Sequence, residues 1–297
     1  MNAKTFFYNL KKLTNVKDVK TQEKIASAIL FLCTVLVTLP VLVILAIILY
    51  KGIGAISFEF LFTMPRNGMS QGGILPAILG TLYLVTGAIL FALPLGVLTA
   101  VYLVEYARDN FLSRMIKLAI VNLAGVPSVV YGLFGLGVFV IFLQFGASIL
   151  AGSLTLGIMI LPVIITASRE ALESVPQSFR LVSLSLGASK WQTIRHSVLP
   201  HALPGILTGT ILGLGRAAGE TAPILFTVAA FYLPKLPHSV FDQTMALPYH
   251  LFVISTQVPG IPEKVRYGTA LVLLALVLLL NLFAIIVRSK FRGRKKW

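Results

Sequence analysis

Residues 118–168 read LAIVNLAGVPSVVYGLFGLGVFVIFLQFGASILAGSLTLGIMILPVIITAS and contain no charged side chain. At about 1.5 Å per residue, a single helix of this length would extend roughly 75 Å, whereas the hydrocarbon core of a bilayer is about 30 Å thick. The stretch therefore predicts two membrane crossings, near 118–145 and 150–168, with a turn around Gly146 to Gly152.

Four further apolar runs flank this stretch, and each is long enough for one crossing. They lie at 25–50, 74–104, 203–231 and 269–287. Across the chain 57% of residues are hydrophobic and only 12% are charged, about half the charged fraction of a soluble domain. We therefore predict an all-α, polytopic membrane protein with six transmembrane helices.

The basic residues divide unequally between the two sides of this topology. If the N-terminus is inside, nineteen Lys and Arg residues fall in inside segments and five in outside segments. Because short cytoplasmic loops carry the excess of Lys and Arg, both termini are expected to be cytoplasmic. A net charge of +15 could also suit a nucleic acid. The basic residues, however, separate apolar runs and form no recurring basic-aromatic face, which favours a lipid bilayer and no nucleic acid.

These patterns divide the chain into five segments. They are a basic cytoplasmic N-terminal segment (1–24), the first transmembrane helix (25–50), an extracytoplasmic loop (51–73), a transmembrane domain (74–287) and a basic cytoplasmic tail (288–297). A second outside segment, at about 232–267, holds five prolines, which disfavour one long helix there.

A cytoplasmic loop at 169–200 is the most organised polar stretch of the chain. Apolar residues recur at helical spacing on both sides of a small-residue turn, Gly187-Ala188-Ser189, so the loop predicts two short helices. Leu199-Pro200 closes the loop before the fifth span. Such a helix pair can lie on the lipid surface or fill a groove on a partner protein, and the pattern favours neither.

The fifth span carries two charges. Arg216 lies 12 residues after Pro204, about 18 Å along a helix and hence near the middle of the hydrocarbon layer. Glu220 follows at i+4, where it can pair with Arg216. A charge at that depth is costly unless it is paired or hydrated. The pair is interpreted either as a lock between two helices or as part of an anion pathway, since a guanidinium matches the oxygens of phosphate.

Several catalytic motifs are absent from the sequence. It contains no Gly-x-x-x-x-Gly-Lys-Ser/Thr phosphate loop, no His-Glu-x-x-His and no paired-cysteine metal spacing. We therefore expect no ATP hydrolysis by this chain, no catalytic residue and no metal site. An intramembrane enzyme is one alternative function, and it would need a second catalytic group beside Glu220. A non-transporting scaffold or sensor is the other alternative.

The cytoplasmic loop resembles the signature of binding-protein-dependent ABC importer permeases. That signature is E-A-A, three residues, Gly, nine residues, I, one residue, L-P. Gly187 and Leu199-Pro200 match it, whereas Leu181-Val182-Ser183 replaces the E-A-A triplet and Ser197 replaces the isoleucine. Two further stretches, GVPSVVYGLFG at 125–135 and GRAAGETAP at 215–223, resemble motifs of the phosphate-specific permeases in that family.

The resemblance covers about residues 70–290 and implies both a fold and a function. The fold is that of a type I ABC importer permease. The function is that of a permease subunit in an ATP-driven importer of inorganic phosphate in the bacterial inner membrane, which forms the translocation route with a second permease subunit. A related importer of sulfate or molybdate is the alternative. The expected partners are a cytoplasmic ATPase dimer, which binds ATP and Mg, and an extracytoplasmic phosphate-binding protein. This chain itself is expected to bind no cofactor.

The resemblance also assigns the expected site residues. Arg216 and Glu220 would line the substrate pathway. The residues that would couple the chain to the ATPase are Leu186, Gly187, Ala188, Ser189, Leu199 and Pro200.

Overall fold

The computed structural model describes residues 16–292, so most of the predicted N-terminal segment (1–24) and half of the predicted tail (288–297) lie outside the described residues. The chain divides into two units, Met1–Lys51 and Gly52–Trp297. Helix α1, Val16–Gly52, makes up the described part of the first unit. The hydroxyls of Thr34 and Thr38 donate to carbonyl oxygens one turn back, at 2.8 Å each. These polar side chains are therefore satisfied within the helix, as a lipid environment requires.

A short irregular segment opens the second unit. It contains a 3₁₀ turn (Ile53–Ala55), helix α2 (Phe58–Phe62) and an antiparallel hairpin of strands β1 (Pro65–Arg66) and β2 (Gln71–Gly72). The hairpin sequence GMSQG at 68–72 matches the Gly-x-Ser-x-Gly pattern of hydrolase nucleophiles. That nucleophile stands at a strand-to-helix elbow, whereas Ser70 lies in a hairpin turn and donates its hydroxyl to Asn67 O at 2.7 Å. The match therefore indicates no catalytic serine.

Ten helices follow in the described part of the second unit. They are α3 (Leu75–Val101), α4 (Phe111–Ala124), α5 (Ser128–Gly135), α6 (Ile149–Glu173), α7 (Gln177–Ser185), α8 (Lys190–Thr193), α9 (Leu199–Gly219), α10 (Ala222–Thr227), α11 (Leu247–Thr256) and α12 (Glu263–Arg292). π-Helical turns at Tyr102–Tyr106 and Leu136–Phe142 extend α3 and α5, and a third at Ile194–Val198 joins α8 to α9. Within residues 16–292, five helical stretches can cross a membrane by length and composition, or six if the bent pair α4–α5 is one crossing. This agrees with the predicted multi-pass, all-α architecture.

Helices α3 and α6 form the centre of the second unit, and small residues bring them together. A Cβ on Gly157 would lie 2.6 Å from Phe91 Cδ1, and a Cβ on Gly87 would lie 2.7 Å from Ser153 Cβ. Close approach at small residues is a common way for membrane helices to associate. The core around this contact includes the buried side chains of Leu84, Leu156, Met159, Ile160 and Ile164.

The predicted third span, 118–145, is not one helix. Helices α4 and α5 meet at 104° across Gly125-Val126-Pro127. Pro127 has no N–H for the carbonyl four residues back, at Leu123, and it disfavours a helical conformation at the residue before it. The Leu123 carbonyl accepts from Val126 N–H at 3.1 Å and from the Tyr131 hydroxyl at 2.7 Å. A tight backbone turn and one side chain together close the bend.

The predicted fifth span, 203–231, is also interrupted. Helix α9 stops at Gly219, and Glu220 is extended, with φ −75° and ψ 138°. Pro223 explains the break, because it has no N–H for the Gly219 carbonyl and its ring would clash with that carbonyl. The short helix α10 follows at once. Discontinuous helices of this kind occur in membrane proteins where the backbone lines a cavity or is buried in protein.

The remaining elements agree more closely with the sequence. Helices α7 and α8 confirm the two short helices predicted for the cytoplasmic loop. The residues between α10 and α11 are irregular, as the prolines of that segment predict. The sixth predicted span, 269–287, lies inside the longer helix α12.

Candidate substrate pathway and coupling loop

Arg216 and Glu220 form the ion pair that their spacing predicts, with Arg216 Nε 3.5 Å from Glu220 Oε1. The geometry differs from the expected one, because Glu220 follows the end of α9 and does not continue its face. The contact is long for a charge-assisted hydrogen bond and engages only Nε. Within residues 16–292 no other acceptor contacts the guanidinium. Its two terminal NH2 groups can therefore donate to an anion.

The position of Arg216 stabilises its charge without saturating its donors. It lies in the last turn of α9, where the carbonyl end of the helix carries partial negative charge. The side chain of Arg216 is 33% exposed and that of Glu220 is 18% exposed. A tight lock between helices would bury both groups and satisfy every donor. The observed arrangement instead leaves both groups partly exposed and most donors of Arg216 available.

The two glycine-containing stretches, 125–135 and 215–223, pack against each other. A Cβ on Gly132 would lie 2.7 Å from Phe226 Cδ2 and 3.1 Å from Ala222 O. Helix α5 therefore packs directly on α10, beyond the break in the fifth span. Tyr131, which closes the bend between α4 and α5, lies within electrostatic range of Arg216. The bend and the break thus lie beside the same arginine.

Asn281 of α12 is a neighbour of this site that the sequence patterns did not reveal. A Cβ on Gly215 would lie 3.3 Å from Asn281 Nδ2, which places the amide beside the residue before Arg216. Asn281 Oδ1 is buried and has no hydrogen-bond partner in the described part of the chain. The residue type could have revealed this neighbour in the sequence, because an asparagine within an otherwise apolar span is costly and often functional.

The turn of the loop at 169–200 depends on Gly187, whose φ of +84° favours glycine. No described atom lies within 4 Å of a Cβ built there, so the backbone conformation, and not packing, requires glycine. Ser189 then begins α8 with a capping box. Gln192 N–H donates to Ser189 Oγ at 3.3 Å, and Ser189 N–H donates to Gln192 Oε1 at 2.7 Å.

The loop presents an apolar surface, which we call the coupling patch. It consists of the exposed side chains of Leu181, Val182, Leu184, Leu186 and Trp191. Leu186 is the most exposed of them, at 83%. Leu199 and Pro200 are not in this patch, because they begin α9 about 15 Å further along the helix from Ser189. Large exposed apolar side chains are candidates for contact with proteins or membranes.

The chain is similar to known membrane transport proteins. It matches the model of the family described as "Binding-protein-dependent transport system inner membrane component" over residues 92–296. It is 33% identical over 279 residues to the probable ABC transporter permease protein YqgI of Bacillus subtilis (strain 168), which covers 89% of this chain and 94% of that protein. It is 34% identical over 286 residues to phosphate transport system permease protein PstA 1 of Mycobacterium tuberculosis, which covers 93% and 91%.

The fold has a counterpart among solved structures. A chain of a bacterial alginate ABC transporter, crystallised with an alginate-bound periplasmic protein, superposes with a TM-score of 0.65. The sequence identity is 16%, and the match covers 90% of this chain and 94% of that one. At this identity the likeness concerns the fold alone, and it confirms the predicted permease fold.

Proposed function

Because the chain belongs to the family of binding-protein-dependent transport system inner membrane components, we propose that it is a permease subunit of an ATP-driven importer of inorganic phosphate. Relatives that share about a third of its residues and are named as phosphate transport permeases support the choice of phosphate. The observation that carries the proposal is the Arg216 guanidinium at the break between α9 and α10, held through Nε alone.

Arg216 provides a transient contact for the anion. The terminal NH2 groups of its guanidinium can donate to two phosphate oxygens at once. Glu220 offsets part of the positive charge and repels the bound anion, so that the anion can leave. Arg216 and Glu220 together therefore favour passage over retention, which is what a transport route requires.

The coupling patch is the surface that this subunit offers to its ATPase. An exposed apolar turn on two short helices fits a groove on a soluble partner. The proposed assembly contains a PstC-like second permease, a PstB-like ATPase dimer that binds ATP and Mg, and a PstS-like phosphate-binding protein. The assembly lies in the bacterial inner membrane with both termini of this chain in the cytoplasm, as the excess of Lys and Arg in the inside segments favours. This chain has a non-catalytic role.

Uptake of radiolabelled phosphate tests the proposal, in cells that lack the chain and then regain it. The wild-type chain is expected to restore uptake that excess sulfate does not suppress. Arg216→Gln is expected to abolish uptake while the second permease and the ATPase still co-purify. Full competition by sulfate would show that the importer takes another oxyanion. Normal uptake with Arg216→Gln would contradict the pathway role, and loss of assembly would support a helix lock.

A further inference from the structure

Arg180 of α7 and Glu105, in the π-helical turn that ends α3, form a tight ion pair. Arg180 Nη2 and Nε donate to Glu105 Oε1 at 2.7 and 3.0 Å. The two side chains are 12% and 9% exposed. Removing two charges from water is costly, and apolar residues of similar volume often stabilise a fold at least as well. The pair is therefore better explained by a positional role than by stability alone.

The remaining donors of Arg180 bind the end of a third element. Nη1 donates to Val175 O at 2.7 Å, and Nη2 also donates to Leu172 O at 3.0 Å. These carbonyls lie at and just after the last turn of α6, where helix carbonyls lack intrahelical partners. One guanidinium thus connects α7, the end of α3 and the end of α6.

The second helix of the loop is tied to the same turn. Lys190 Nζ, at the start of α8, lies 4.8 Å from the centroid of the Tyr106 ring, a cation–π contact. The Thr193 hydroxyl donates to Ser183 Oγ at 2.9 Å, which links α8 to α7. Both helices that carry the coupling patch therefore contact the turn Tyr102–Tyr106.

A groove of about 680 Å³ runs beside these contacts, lined in part by Glu105, Arg180, Leu184 and Lys190. The loop and α3 are joined by these polar contacts and also by apolar packing, in which Phe179 of α7 packs against a buried cluster that contains Ile194 and Val101 of α3. Hydrogen bonds resist changes of both distance and direction, whereas apolar contacts between surfaces can slide. The hydrogen-bonded pair can therefore transmit a displacement of the loop to α3 in either direction.

We propose that Arg180 and Glu105 form a joint that transmits movement of the coupling patch to α3. The inference rests on the proposed docking of an ATPase on that patch. Because α3 packs along α6 in the central core, a displacement of α7 would reach the transmembrane helices through this joint. Arg180 and Glu105 are then positioning residues for transport, without contact to the transported anion.

The test uses the complete transporter in liposomes, with phosphate uptake and ATP hydrolysis measured on the same vesicles. Arg180→Gln and Glu105→Gln are expected to co-purify with the ATPase and to hydrolyse ATP within about twofold of the wild-type rate. The ratio of phosphate imported to ATP hydrolysed is expected to fall about tenfold, since one partner of a buried pair is lost. The exchanged pair Arg180→Glu/Glu105→Arg is expected to recover part of that ratio.

Arg114→Gln is the matched control, because the Arg114–Asp109 pair is also within hydrogen-bond distance, at 2.9 Å against 2.7 Å for Arg180–Glu105, but about 70% exposed. It is expected to leave the ratio unchanged. A wild-type ratio in both glutamine variants would overturn the joint, as would an equal fall with Arg114→Gln, an exchanged pair that recovers nothing, or loss of the ATPase from the complex. If a glutamine variant does not accumulate in the membrane, Arg180→Lys replaces it, and a wild-type ratio overturns the joint there too. Failure of the wild-type chain to recover an ATPase would instead refute the proposed function.

Discussion

Arg180 donates four hydrogen bonds, two of them to Glu105, whereas Arg216 donates one long hydrogen bond to Glu220. The side chain of Arg180 is 12% exposed and that of Arg216 is 33% exposed. A guanidinium whose donors are occupied holds its neighbours in place, and one whose donors are available can bind a ligand. The two arginines therefore differ in how many donors the fold leaves available for a ligand.

The largest expected effect is at the arginine with available donors. Arg216→Gln is expected to lower phosphate uptake about 100-fold, because a charged donor fork is lost from a site of low dielectric. Arg216→Lys is expected to retain part of the uptake, since an ammonium still attracts phosphate as a point charge. The comparison between the two pairs fails if the glutamine and lysine variants transport equally well.

Substitution of each arginine by lysine distinguishes the two ion pairs by their kinetic effects. Arg180→Lys cannot reach Glu105 and two carbonyls together, so the phosphate-to-ATP ratio is expected to fall by roughly fivefold with little change in KM. Arg216→Lys is expected to raise KM for phosphate instead. The two variants are compared in liposomes over a range of phosphate concentrations. The same kinetic change in both would remove the distinction between a joint and a ligand contact.

A change at Gly187, in the turn of the loop, is expected to have a smaller effect on phosphate uptake, and a closely matched control variant exists. Gly187→Val places a β-branched residue at φ +84°, which strains the turn and displaces the coupling patch. The strain is about 1 kcal/mol, which corresponds to a few-fold fall in phosphate uptake. The level of the variant in the membrane is expected to stay normal. Gly146→Val creates similar strain at φ +66°, far along the chain from the loop. Equal losses of uptake in both would contradict a specific role for the loop.

The contact between α5 and α10 is expected to affect the stability of the complex. Gly132→Ala would bring a Cβ within 2.7 Å of Phe226 Cδ2, and we expect overpacking to cost about 1–3 kcal/mol. Gly137→Ala is the control, because no described atom lies within 4 Å of a Cβ there. Thermal unfolding of the solubilised complex is the measurement. An unchanged unfolding temperature with Gly132→Ala would show that the bend and the break are not held together by this contact.

The parts of the fold that the sequence predicted are those with a local cause. Charge-free apolar runs predicted the spans, and helical spacing around Gly187 predicted the loop helices. The spacing of Arg216 and Glu220 predicted their ion pair. Each of these patterns is complete within one or two turns of chain.

The parts that were missed have two different physical origins. The breaks at Pro127 and Pro223 have a local cause that hydropathy does not register, namely the missing N–H of proline. The Arg180–Glu105 pair joins residues 75 positions apart, so no local pattern contains it. Asn281 beside Gly215 is likewise a contact between distant helices.

The contact of Arg216 with the anion can be tested most directly through the single cysteine of the chain, Cys33. In a Cys33→Ser background, Arg216→Cys is expected to lose phosphate uptake. A thiol reagent that attaches a positively charged ammonium is then expected to restore part of the uptake, a neutral reagent of similar size is not, and phosphate is expected to slow the labelling. Equal restoration by both reagents, or labelling that phosphate does not affect, would contradict the role of Arg216 as a contact for the transported anion.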